Sequence, residues 1–325
     1  MSRPERPSRT GQAAQRTASS GGVVPGLDMA PAFTLTMPPR LRLPVLVAVP
    51  HAGRAYPPAV TARMREAEVA QLRLEDRHVD RLGVAIARET GAALLVAHAP
   101  RALLDLNRAE DDVDWDMIEG GRPADMAPLQ SGQRSNARAR SGLGLVPRRL
   151  PGSGEIWRGR LAAAELAARI EGIHRAYHTA LDEVLTRICG EWGAALLVDL
   201  HSMPPLRAGE GETRAPVVVL GDRFGASCHN ALVARGLSHL EAHGVPAALN
   251  RPYSGGYVLD RHGVPRAGVH AVQIEVCRAT YLDRHLAEPG AGLPAVAAML
   301  ADLVRELGAE AALLGGADGL RQAAE

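Results

Sequence analysis

The chain has 325 residues, 46% of them apolar but only 3% aromatic, and a formal net charge of +1. That length suffices for one large α/β domain or two small ones. The near-neutral charge argues against a polyanionic partner, and the scarcity of aromatics argues against a stacking platform for single-stranded nucleic acid. No apolar run reaches membrane-spanning length. Neither nucleic acid nor membrane is therefore expected as a partner. The cysteines, Cys189, Cys228 and Cys277, are odd in number and far apart. This argues against a disulfide framework and for a reducing compartment, read here as the cytoplasm.

In chain order, residues 1–32 read as a disordered tail rich in Arg, Ser, Gly and Pro, with no apolar segment of the kind a secretory signal needs. One catalytic domain is expected over 33–325. Short, nearly continuous apolar runs predict strands at Val45–Pro50, Ala93–Ala97, Ala102–Leu106, Ala194–Leu200, Pro216–Leu220 and Val269–Val276. Runs without strict alternation belong to strands covered on both faces. Helical spacing covers about Glu75–Glu89, Leu161–Trp192, Gly225–His243 and Pro294–Leu307. Strands alternating with helices predict an α/β fold, a three-layer sandwich with a mostly parallel central sheet. The Gly- and Arg-rich stretch from Gly120 to Arg160 interrupts this rhythm as a long loop.

In open α/β sheets, ligands bind beyond the carboxyl ends of the strands. Two predicted strands end in histidine, at His51-Ala-Gly53 and at His201-Ser-Met-Pro204. Each alone reads equally well as a polar residue closing a strand. Two at equivalent places point to metal ligation, for which imidazole is a common donor. A carboxylate is then wanted, and Glu75-Asp76 offers two; the plainer role for that pair is to complement a helix dipole. Asp105-Leu-Asn-Arg108 places an amide and a guanidinium where they could grip a carboxylate. Glu275 stands inside the apolar run Val272–Val276. It could pair with Arg278 or act as a general base. His174 and His178 lie four apart and share a helix face. His174 reads as a hydrogen-bonded helix residue, and His178 could reach the edge of a pocket.

Together these segments resemble the N-formylglutamate amidohydrolase family. The matching pieces are Val49-Pro-His51-Ala-Gly53, Glu75-Asp76 with Val79-Asp80, Asp105-Leu-Asn-Arg108, Gly142-Leu-Gly-Leu-Val-Pro147, Tyr177-His178, Asp199-Leu-His-Ser202, Asn250-Arg-Pro-Tyr-Ser-Gly-Gly256 and Gln273-Ile-Glu-Val-Cys-Arg278. The resemblance implies a fold akin to zinc exopeptidases and aspartoacylase-like deacylases. It implies one zinc ion held by His51, Asp76 and His201, with Glu75 as the alternative carboxylate. Many zinc exopeptidases place that carboxylate three residues after the first histidine, where this chain has Arg54. The resemblance further implies Glu275 as the base and a small acidic N-acyl amino acid as substrate. Asn107 and Arg108 would hold the α-carboxylate, and Gly255 and Arg278 would also contact the substrate. For the side-chain carboxylate the basic loop offers Arg138, Arg140, Arg148 and Arg149, of which Arg148 is chosen. The implied reaction turns N-formylglutamate into glutamate and formate, a step of histidine breakdown.

Overall fold

The structure, a computed structural model, describes residues 16–123, 139–150, 152–209 and 214–322, with side chains to 316. Strands are numbered β1 (Thr17–Gly21), β2 (Phe33–Met37), β3 (Val45–Val49), β4 (Ala93–Ala97), β5 (Arg149–Leu150), β6 (Gly154–Glu155), β7 (Ala195–Met203), β8 (Val218–Gly221), β9 (Ala247–Leu249) and β10 (Val269–Cys277). Eight form one sheet in the order β1-β2-β4-β3-β7-β10-β8-β9, and β5-β6 form a separate hairpin. The four central strands, β4, β3, β7 and β10, are parallel. Both faces of this centre are covered, so the fold is an α/β sandwich with a mostly parallel sheet.

The continuous apolar runs follow from that double cover. Along β3, Val45, Val47 and Val49 pack into one core, and Leu46 and Ala48 pack into the other. Side chains two apart point to the same face, so neighbours feed opposite cores and no position is left for a polar residue. One face is covered mainly by the helices Val79–Thr90, Asn230–Ala242 and Leu293–Gln322. The other takes the long helical segment that runs from Ala163 through a π-helical turn, Ile170–Arg175, to Trp192.

The structure corrects several expectations. Thr17–Gly21 lies inside the stretch read as tail, yet it is an edge strand antiparallel to β2. Its small polar residues leave no apolar pattern to detect. Ala102–Leu106 is not a strand but a buried loop: Asp105 donates its backbone N–H to Leu145, and Arg108 donates to Asp105. Ala102, Leu103, Leu104 and Leu106 fill a core without pairing in the sheet. The helix expected from Glu75 starts at Val79, because Glu75 is extended and His78 adopts a left-handed conformation at φ 59°. That break frees Asp76 from the helix.

Candidate active site

The site lies where one sheet face changes character towards the carboxyl ends of its central strands. Along β7 that face reads Ala195, Leu197, Asp199, His201, and along β10 it reads Ala271, Gln273, Glu275. The first members are core. The later ones are polar and stand side by side, with Gln273 in register with Asp199 and Glu275 with His201. His51 follows β3, and its carbonyl accepts the backbone N–H of Asp76 at 2.9 Å. This bond ties the loop after Leu74 to the end of β3.

The result is a buried trio, His51, Asp76 and His201, whose candidate ligand atoms lie within 4.8 Å of one another. Asp76 Oδ2 sits 3.6 Å from His51 Nδ1 and 3.1 Å from His201 Nδ1. Donors bound tetrahedrally at zinc distances stand roughly 3.3 Å apart, so the spacing fits such an ion. The orientation of the rings fits too. His51 Nε2 donates to Asp105 Oδ1 at 2.7 Å, and His201 Nε2 donates to Asp199 Oδ2 at 2.8 Å. A carboxylate behind Nε2 orients each ring and leaves Nδ1 as the atom that would be available to a metal ion. His51 Nδ1 is buried without a hydrogen-bond partner, which is costly for a polar atom unless a ligand takes it up. Asp76 Oδ1 is held by Ser202 Oγ at 3.1 Å and by the Arg278 guanidinium at 3.0 Å. Of the two adjacent carboxylates, the trio contains Asp76; Glu75 instead pairs with Arg77 at 3.0 Å.

The charged groups around the trio act strongly on one another. Burial alone would raise Asp76, yet His201 and His51 hold it well below the usual carboxylate range. Burial would also raise Asp105, which Arg101, His51 and Arg108 keep well below that range. Glu275 goes the other way. Burial, opposed by His201 and Arg101 and reinforced by Asp76, pushes it up to about 7. A carboxyl poised there can both take and return a proton near neutrality.

A cavity of about 620 Å³ opens over these groups, within the usual range for small-molecule sites. His51, Asp76, His201 and Glu275 line it, together with Asn107, Arg108, Gly255 and Arg278. Gly255 has φ +95°, and a Cβ there would lie 2.4 Å from Leu259. A Cβ on Gly256 would come within 2.5 Å of the Asn107 amide, so this glycine lets the backbone close over Asn107.

Two expectations change. Glu275 does not pair with Arg278; it accepts from Gln273 Nε2 at 2.9 Å. Arg148 does not line the cavity. Its guanidinium forms ion pairs with Asp114 at 2.6 Å and with Glu155 of β6 at 3.3 Å. Arg149 likewise pairs with Glu155, and Arg138 lies outside the described residues.

Sequence reasoning missed Arg101, a cavity-lining residue whose Nε and Nη2 both reach Asp105 Oδ2 at 2.9 Å. It also missed Gln273, which connects Asn107 Nδ2 (3.4 Å) to Glu275. Asp199 went unassigned although its place two residues before His201 on a strand puts both side chains on one face.

The N-formylglutamate deformylase of Pseudomonas aeruginosa is 35% identical over 251 residues, which cover 75% of this chain and 84% of that protein. The Pseudomonas putida deformylase is 32% identical over 246 residues, 74% and 83% of the two chains. The crystal structure of N-formylglutamate amidohydrolase from Ralstonia eutropha JMP134 superposes with a TM-score of 0.74 at 30% identity, over 86% of this chain and 98% of that one. The family model described as N-formylglutamate amidohydrolase matches residues 43–282, a span that carries His51, Asp76, His201 and Glu275, and the chain belongs to that family.

Proposed function

We propose that the protein is a zinc-dependent hydrolase that cleaves N-formyl-L-glutamate to formate and L-glutamate. One observation carries the metal-dependent reading: two buried histidines, each fixed at Nε2 by a carboxylate, turn Nδ1 towards Asp76 beside a glutamate raised to about 7. The substrate comes from the activity that the relatives' names give.

His51, Asp76 and His201 would hold the ion, with Ser202 and Arg278 orienting Asp76. When bound, such an ion polarises an amide carbonyl and lowers the pKa of water. Glu275 takes a proton from the attacking water as its oxygen bonds to the formyl carbon. The carbon–nitrogen bond then breaks, and Glu275 returns the proton to the departing amine. Arg101, its guanidinium braced by Asp105, faces the negative charge that develops on the carbonyl oxygen. Asn107 and Arg108 hold the α-carboxylate. With Arg148 turned away, Arg278 on the cavity wall is the cation assigned to the side-chain carboxylate. Buried donors of this kind discriminate strongly against substrates that lack the matching acceptor.

The test combines metal analysis of the purified protein with turnover of N-formyl-L-glutamate, N-acetyl-L-glutamate and an N-formyl alkylamine. Zinc near one ion per chain, loss of turnover on chelation and recovery on adding zinc are expected, with N-formyl-L-glutamate the best substrate. Full activity in metal-free protein overturns the metal. Preference for another acyl group reassigns the substrate and leaves the metal standing.

A further inference from the structure

Behind the Asn107–Arg108 pair lie two histidines that take no part in the chemistry above. His174 and His178 are both 0% exposed. His174 belongs to the π-helical turn Ile170–Arg175, and His178 to the helix that continues from it. Each turns Nε2 to a main-chain carbonyl of the buried loop, His174 to Arg108 at 2.8 Å and His178 to Leu106 at 3.0 Å. A carbonyl only accepts, so both Nε2 atoms carry the hydrogen.

That assignment propagates outward. His178 Nδ1 must then accept, and it faces His262 Nε2 at 2.8 Å with the rings nearly parallel at 15°. His262 Nδ1 reaches Asp182 Oδ1 at 2.7 Å. With His178 kept neutral by burial, all three links form together when one proton is shared between His262 and Asp182. His178 Nε2 carries its hydrogen wherever that proton sits.

The carbonyl between the two, that of Asn107, accepts from the Arg108 guanidinium at 2.7 Å. Three consecutive carbonyls therefore each have a dedicated donor, in a loop with no helix or strand to supply one. Buried backbone groups need partners, and here those partners are what set the path of the chain.

We propose that His174 and His178 are positioning residues, which by donating to the carbonyls of Arg108 and Leu106 fix the backbone on both sides of Asn107 and so aim the Asn107–Arg108 pair at a substrate carboxylate. The inference rests on the carboxylate-binding role given to that pair above.

The test exploits side-chain reach. His178→Gln can place an amide N–H near the Nε2 position, whereas His178→Asn reaches only the Nδ1 position. The asparagine still meets His262 but leaves the Leu106 carbonyl without its donor. Activity is measured on N-formyl-L-glutamate and on an N-formyl alkylamine that lacks the carboxylate, beside zinc content and melting temperature, with Arg108→Ala as comparator. His178→Asn should lower kcat/KM for N-formyl-L-glutamate about tenfold or more, chiefly through KM, and should change the alkylamine rate little. His178→Gln should recover most of that loss. Equal losses on both substrates in His178→Asn, or no rescue by glutamine, would overturn the proposal. If Arg108→Ala itself fails to separate the substrates, the carboxylate-binding role falls, and the inference with it. If Arg108→Ala separates them and His178→Asn does not, only the inference falls. Should His178→Asn not fold, His174→Gln and His174→Asn make the same comparison at the Arg108 carbonyl.

Discussion

Asp105 joins three parts of the site, so its replacement by asparagine probes them together. Its Oδ1 accepts from His51 Nε2 at 2.7 Å and from the Asn107 backbone at 2.9 Å, and its Oδ2 accepts from Arg101. An asparagine keeps the shape but has one acceptor end and one donor end. With its oxygen towards His51, its NH2 meets the guanidinium; flipped, it meets the His51 N–H. Either way two donors face each other in a site where Asp105 is 1% exposed. Loss of such a partner behind a ligating histidine typically weakens metal binding by about 10- to 100-fold, or roughly 1.4–2.8 kcal/mol. Stability should fall as well. Removing one partner of a buried ion pair costs about 3–5 kcal/mol, and the 25% exposure of the Arg101 side chain puts Asp105→Asn near or below the lower end. Competition with a chelator of known affinity measures the first effect, and thermal unfolding of metal-free protein measures the second. An unchanged zinc affinity with a lowered melting temperature would refute the metal argument, leaving Asp105 as a brace for Arg101 alone.

Three further outcomes are expected. Glu275→Gln should retain fold and zinc while kcat drops by about two or more orders of magnitude, which rate, metal content and melting curve together distinguish from a structural role. Asp76→Ala should strongly reduce zinc occupancy whereas Glu75→Ala should not, since Glu75 is committed to Arg77; the reverse pattern in a metal assay would transfer the ligand role. Arg148→Ala should leave KM for N-formyl-L-glutamate unchanged and lower the melting temperature by a few degrees, because it strips the buried Asp114 of its ion-pair partner. A raised KM with unchanged stability would return Arg148 to the substrate.

What the chain reveals by itself depends on how far apart the interacting residues lie. The central strands are legible because burial on both faces writes continuous apolar runs, and a histidine or glutamate interrupting such a run is conspicuous. Thus His51, His201 and Glu275 stand out, as do the strands β3, β4, β7 and β10 themselves. The edge strands β1 and β9 are not legible, since half-covered or exposed strands place little constraint on composition. The run Ala102–Leu106 looks like a strand for the opposite reason: a loop buried to the same depth carries the same residues, and only its hydrogen bonds differ. A basic neighbourhood points to Arg148, but an arginine's role follows from the carboxylate it finds, here Asp114 on another segment.

The same distinction separates the two carboxylates that orient the histidines. Asp199 and His201 are two apart on β7, so strand periodicity alone puts them on one face, and their contact could have been read from the sequence. Asp105 reaches His51 across 54 residues, from a loop held by Leu145 to a strand end held by β4 and β7. No local pattern encodes that meeting. The fold itself turns an ordinary Asp-Leu-Asn-Arg segment into a support for His51, the proposed metal ligand, a brace for Arg101 and the proposed seat for a substrate carboxylate. A substitution anywhere in those four residues should therefore be read first for which of the three it disturbs.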